Sequence, residues 1–286
     1  MKISEILKSK KAALSFEVFP PKTITAYESV LSAVRGIAKL SPDFISVTYG
    51  AGGGTSDYTV SVAEEIKGLG VTPLAHLSCI CHNRSAVKEM LTKLKKSGIE
   101  NILALRGDRV EGINNTDYRY ASELVEDIKS FGGFCIGGAC YPEGHPDSLT
   151  LFSDIEHLKI KADAGCDFLT TQMFFDNDIY YSFLSKVQAN GIFVPVIPAV
   201  MPVTNAAQIK RIAQLSGATL PTRFRRIVDR FGSDPEAMKQ AGIAYATEQV
   251  IDLYANGISA VHIYSMNKPD VAEAIRGNLS KILCCN

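Results

Sequence analysis

Two acidic side chains and an arginine stand where apolar runs should continue. In "LSFEVFP" (14–20), Glu17 interrupts Phe16, Val18 and Phe19; in "ENILALRGDRVEG" (100–112), the run from Ile102 to Leu105 ends on Arg106-Gly107-Asp108. A Glu inside an apolar strand has two readings. It pairs with a basic group in the interior, or desolvation raises its pKa so that it can donate a proton near neutral pH. Arg106 and Asp108 are equally two-sided. They form a local ion pair, or, because i and i+2 of an extended strand share a face, both point into one pocket.

Other polar groups follow apolar runs in the same way. Thr48 and Tyr49 precede the glycine run Gly50-Ala51-Gly52-Gly53-Gly54, His76 lies in "TPLAHLSC", Tyr141, Glu143 and His145 in "YPEGHPD", and Gln172 in "FLTTQMFF". The glycine run can cradle phosphates with its N–H groups, ahead of a helix capped by Thr55, Ser56 or Asp57, or serve as a flexible turn. It is no Walker loop, because no Gly-Lys-Ser/Thr follows. Cys79, Cys81 and His82 form a C-x-C-H cluster that thiol burial explains as well as a metal does. Glu143 and His145 have no second ligand cluster nearby in sequence, and no metal site is expected. A Ser/His/Asp hydrolase would need a G-x-S-x-G elbow, which is missing.

These residues must be positioned by regular elements, and the chain alternates between two kinds. Eight β-rich runs recur, at 14–20, 44–50, 72–79, 101–107, 135–142, 168–175, 195–202 and 260–266. Between them lie segments of helical period such as "SAVKEMLTKLKKSG" (85–98), with an apolar stripe of Val87, Met90, Leu91 and Leu94 and a stop at Gly98. Eight βα units without a long linker predict an α/β fold, a (β/α)8 barrel. A doubly wound open sheet is the alternative, but no G-x-G-x-x-G follows the first strand. Extra helix is expected from 217 to 250. In such a barrel the strands' C-terminal ends build the active site, which places Glu17, Thr48, Tyr49, His76, Arg106, Asp108, Tyr141, Glu143 and Gln172 around one rim.

Composition limits the function classes. The 286 residues carry zero formal net charge at pI 6.9, which gives no electrostatic footprint for nucleic acid or an anionic membrane. No apolar run approaches the roughly 20 residues of a membrane span, and "MKISEILKSKKAALSF" lacks a signal-peptide core. The seven cysteines include no C-x-x-C. Reduced thiols and a cytoplasmic location are expected.

Seven ordered blocks carry a resemblance: "SFEVFPPK", "FISVTYGAGGGTSD", "LAHLSC", "ILALRGD", "YPEGHPD", "KADAGCDFLTTQMFFD" and "IPAVMPVTN". From about residue 12 to 272 the chain resembles the flavin-dependent methylenetetrahydrofolate reductases. The resemblance implies one FAD-binding barrel over 1–286, without the regulatory domain that eukaryotic members append. It implies non-covalent FAD at the barrel's rim, reduced by a nicotinamide (NADH ahead of NADPH) and reoxidised by 5,10-methylenetetrahydrofolate in a ping-pong scheme that gives 5-methyltetrahydrofolate. Homo-oligomers are common in the family, and some relatives take electrons from ferredoxin or a partner flavoprotein.

By the same resemblance, Glu17 is the catalytic acid that opens the folate's five-membered ring to an iminium, in a setting walled by Phe16 and Phe19. Asp108 is the second catalytic acid, beside the flavin, where it tunes the flavin's potential and offsets the developing iminium charge, while Gln172, Gln208 and Lys268 meet substrate. The matching FAD positions are Thr48, Tyr49, Ala51, His76, Arg106, Gly107, Asp108, Tyr120, Ala121, Tyr141, His145, Asp154, His157 and Lys161. Arg106 and Lys161 are the natural partners of the pyrophosphate.

The chain also departs from the pattern. His157 and Ile160 replace an Asn and an Arg, which is expected to weaken flavin affinity. Ile212 replaces a stacking aromatic, and Lys268 replaces an Arg and lacks its bidentate fork. A flavin-free barrel lyase would need a Schiff-base lysine inside a strand, and none of the eight runs holds one. A binding subunit that has lost turnover is at odds with the retained Glu17, Asp108 and Gln172.

Overall fold

The computed structural model describes residues 1–49, 56–80, 82–107, 117–207, 209 and 216–284. Its parallel strands are β1 (Ala13–Val18), β2 (Phe44–Val47), β3 (Thr72–Ser78), β4 (Asn101–Leu105), β5 (Cys135–Cys140), β6 (Phe168–Thr171), β7 (Val196–Ile197), β8 (Ala199–Val200) and β9 (Ala260–Tyr264). Neighbours run β7-β6-β5-β4-β3-β2-β1-β9-β8. The two ends of that order, β7 and β8, are consecutive pieces of one segment on either side of Pro198, so the sheet closes on itself and is not an open, doubly wound one. Nine strands stand where eight are predicted because Pro198 has no N–H to give to the ladder. Its carbonyl still accepts from the His262 N–H at 3.0 Å.

The surrounding helices are α1 (Ile3–Ser9), α2 (Tyr27–Ala38), α3 (Ser56–Gly68), α4 (Arg84–Lys96), α5 (Ala121–Phe131), α6 (Leu151–Asp163), α7 (Asn177–Ala189), α8 (Thr222–Phe231), α9 (Pro235–Ala255) and α10 (Pro269–Asn278). α4 shows how sequence sets these bounds. Asn83 caps it by accepting from the Ala86 N–H at 2.8 Å, its stripe of Val87, Met90, Leu91 and Leu94 is buried, and Gly98 turns the chain at φ +64°. The helix expected between 217 and 250 is α8 with most of α9.

Alternation along the strands separates two cores. Phe44, Leu74, Leu103, Cys135, Phe168 and Ile197 face inward, closed from below by Ile3 and Ile6 of α1. The Ile3 N–H donates to Asn101 Oδ1 at 2.8 Å, fixing that plug. Phe16, Val18, Ile45, Ala75, Leu77, Ile102 and Ala104 face the helices instead.

Small and large residues must alternate to fill the barrel. A Cβ on Gly137 of β5 would stand 2.5 Å from Phe168 Cζ and 2.9 Å from Leu103 Cδ1. Gly137→Ala is therefore expected to destabilise the fold by about 1–3 kcal/mol through overpacking, read as a lower urea midpoint. An unchanged midpoint would contradict this packing.

Candidate active site

The same alternation aims Ser15 and Glu17 of β1 into the barrel and sends Phe16 and Val18 to the outer core. The apolar wall expected from Phe16 and Phe19 is therefore absent: Phe16 packs in the outer core and Phe19 is 36% exposed. Glu17, only 6% exposed, has histidines beside it instead. Its Oε2 lies 3.7 Å from His76 Nε2 and 3.9 Å from His262 Nε2.

Burial pushes the His76 imidazole down to about 4, against the opposing pull of Glu17. No hydrogen-bond partner for His76 Nε2 lies among the described residues. An unfolded histidine titrates near 6.5, so between about pH 6.5 and 4 the unfolded chain binds the extra proton. Stability contributed by neutral His76 is thus lost as pH falls through that window. His76→Gln is expected to lose less stability than the parent between about pH 7 and 5, by urea midpoints; equal losses would contradict a neutral, buried His76.

Outside the strand ends β3 to β5 lies a cleft of about 650 Å³. It is lined by Tyr49, Arg106, Gly107, Tyr120, Ala121, Tyr141, His145, Asp154, His157 and Lys161, so most of the expected cofactor positions meet on one surface. Ile160 lies there too. Tyr49 reaches the cleft from the end of β2, its hydroxyl 2.7 Å from His82 Nε2. Arg106 directly follows β4 and pairs through Nη2 with Asp147 at 2.9 Å. Gly107 has φ +87°, and a Cβ there would stand 3.0 Å from Ser78 Cβ and 3.1 Å from Ile80 Cγ2, so glycine keeps this wall open.

Rings and charges complete the cleft. Tyr120 stacks on His157 at 6.2 Å, and Tyr141 meets His145 edge-on at 4.6 Å. Asp154 accepts from Ser148 Oγ at 2.9 Å. Lys161, near the end of α6, donates to the Ala139 carbonyl, and desolvation lowers its pKa. The His145 pKa is lowered by burial and then by the Arg106 cation. Aromatic faces beside two cations suit a large planar ligand that carries an anionic group.

The remaining expected residues are spread more widely. His76 lies deeper, inside the barrel. Thr48, just past β2, accepts from Thr59 Oγ1 at 3.0 Å through its carbonyl. Gln172, past β6, turns Oε1 back to the Met173 N–H at 2.9 Å. Lys268 caps the start of α10 and donates to Thr204 Oγ1 at 2.9 Å. Glu143, expected at the rim, accepts from the Thr219 N–H at 3.0 Å. Ala51, Asp108, Gln208 and Ile212, with the glycine run, lie outside the described residues.

Sequence reasoning missed Asp147, the carboxylate on Arg106, and His262 and Tyr264 inside the barrel. A signal for the interior group exists in the sequence: Ser15, Ser46, His76 and His262 are polar residues at inward positions of apolar strands. For Asp147 there was only its place in "YPEGHPD".

A family model described as methylenetetrahydrofolate reductase matches residues 2–280. The chain is 37% identical over 265 residues to the 5,10-methylenetetrahydrofolate reductase of Pectobacterium carotovorum subsp. carotovorum, covering 92% of this chain and 88% of that relative. It is 33% identical over 298 residues to methylenetetrahydrofolate reductase (NADH) 1 of Arabidopsis thaliana, covering 98% of this chain and 50% of the plant protein. Among solved structures it is similar to a Clostridium thermocellum protein described as binding two copies of 5-methyl-5,6,7,8-tetrahydrofolic acid. That match covers 100% of both chains with a TM-score of 0.71 at 15% identity, a likeness of fold alone.

Proposed function

Because the chain belongs to the methylenetetrahydrofolate reductase family, we propose that it reduces 5,10-methylenetetrahydrofolate to 5-methyltetrahydrofolate, using a reduced nicotinamide and a bound FAD in a ping-pong scheme. One observation carries this reading: the cleft's aromatic and cationic lining coincides with the positions that the family resemblance assigns to FAD, and buried Glu17 sits at the C-terminal end of β1. The cleft's volume lies within the range of about 300–1,000 Å³ usual for cofactor sites. Gly107 supports the fit, since a side chain there would close the wall on Ser78 and Ile80.

FAD, when bound, supplies the two-electron redox chemistry. The protein's residues do the rest. Arg106 and Lys161 neutralise the pyrophosphate, and Tyr120, Tyr141 and His157 offer ring faces. Glu17 holds a proton on its carboxyl and hands it to a nitrogen of the folate's five-membered ring, opening that ring to the iminium that accepts hydride. Asp108 offsets the iminium's positive charge, while Gln172, Gln208 and Lys268 orient the substrate. The Arabidopsis relative, named for NADH, supports NADH ahead of NADPH.

Titration of the cofactor-depleted protein with FAD tests the site. The flavin's fluorescence should be quenched at one equivalent, and NADH should then bleach its visible band faster than NADPH under anaerobic conditions. A protein that takes up no FAD would overturn the reading. Bleaching by reduced ferredoxin but by neither nicotinamide would reassign the donor.

A further inference from the structure

Below Glu17 the barrel interior holds a polar chain that the proposed reaction leaves unused. His262, in the middle of β9, is 2% exposed. Its Nδ1 lies 2.7 Å from Ser15 Oγ and its Nε2 3.1 Å from Ser46 Oγ. Ser15 Oγ in turn donates to the Val261 carbonyl at 3.2 Å. For the neutral ring, one proton assignment satisfies all three contacts. With the single Ser15 proton on Val261, His262 Nδ1–H must donate to Ser15, and Nε2 is left as the acceptor of the Ser46 hydroxyl. That acceptor nitrogen also stands 3.9 Å from Glu17 Oε2. An acceptor facing a carboxyl oxygen matches a proton-bearing acid and repels a carboxylate.

We propose that His262 is a positioning residue for the acid step: Ser15 and Ser46 fix its acceptor nitrogen toward Glu17, which favours the proton-bearing carboxyl that the step requires. The proposal rests on the reading of Glu17 as proton donor given above. Among the described residues, three titratable groups face His262: Glu17 from β1, His76 from β3 and Tyr264 from its own strand, whose ring lies 5.9 Å away. Phe44 of β2 stacks on it at 5.7 Å. Burial lowers His76 to about 4 and raises Tyr264 well above its ordinary value, so neither brings a charge to the pair near neutral pH.

Ser15→Ala removes the acceptor of Nδ1–H and lets the ring adopt the Nε2–H tautomer, which donates to a carboxylate. Rapid mixing of pre-reduced enzyme with methylenetetrahydrofolate, from about pH 6 to about pH 9, reads the consequence. The alkaline fall-off of this half-reaction is expected to move toward acid by roughly one pH unit in Ser15→Ala, and at least as far in His262→Asn. The nicotinamide half-reaction keeps its rate and profile. ¹⁵N spectra of histidine-labelled protein should show His262 protonated at Nδ1 in the parent and at Nε2 in Ser15→Ala.

A Ser15→Ala profile that superimposes on the parent's, or an equal fall in both half-reactions, overturns the proposal; should His262→Asn not fold, Ser15→Ala alone decides. A parent enzyme that folate never reoxidises would instead refute the reaction itself.

Discussion

Glu17→Gln is expected to split the reaction into its halves. Folate-dependent reoxidation should fall by about 10²- to 10⁴-fold, the contribution of a positioned general acid, while reduction by the nicotinamide keeps its rate. The amide preserves the side chain's size among His76 and His262 but has no proton to hand over. At 6% exposure the site leaves little room for solvent to take over the proton transfer. The nicotinamide step involves no ring opening and so makes no demand on this carboxyl. Rapid-mixing absorbance follows each half separately. Equal damage to both would show that Glu17 holds the cleft together rather than the proton.

Arg106→Ala carries the second large effect, on cofactor affinity. A charge-assisted hydrogen bond contributes about 1.5–3 kcal/mol, so the Kd for FAD should rise roughly 10- to 150-fold. Arg106→Lys should fall between parent and Ala, because it keeps the charge and loses the fork. Stability should barely change. Among the described residues the ion-pair partner of Arg106 is Asp147, whose side chain is 52% exposed, and such half-exposed pairs contribute about 0–1 kcal/mol. Fluorescence titration gives the Kd and urea unfolding gives the stability. An unchanged Kd would remove Arg106 from the cofactor's site; a large loss of stability would make it a structural residue.

Much of this was legible in the sequence, for identifiable reasons. Strand and helix periods differ, so "NILALRG" and "SAVKEMLTKLKKSG" could be assigned from pattern alone, and the barrel followed from their alternation. The rim positions of Tyr49, Arg106 and Tyr141 followed from where their strands end. The environment of Glu17 was harder to read. Its neighbours in sequence, Phe16 and Phe19, are not its neighbours in space, because the pleat sends Phe16 to the other face and closure of β1 on β9 brings His262 in from 245 residues further along the chain. Likewise the break at Pro198 needs the register of both flanking ladders, which no local pattern contains. The partner of Arg106 lies on a loop after β5, so the local pair with Asp108 was as plausible in sequence as the contact with Asp147.

The proposed reaction is folate reduction through a flavin in the cleft. Its most direct measurement is an anaerobic single turnover: enzyme loaded with FAD and bleached with one equivalent of NADH is mixed with 5,10-methylenetetrahydrofolate. The yellow colour should return, and 5-methyltetrahydrofolate should form in a one-to-one ratio with the flavin. A flavin that stays bleached, or recolours without forming the methyl product, would contradict it.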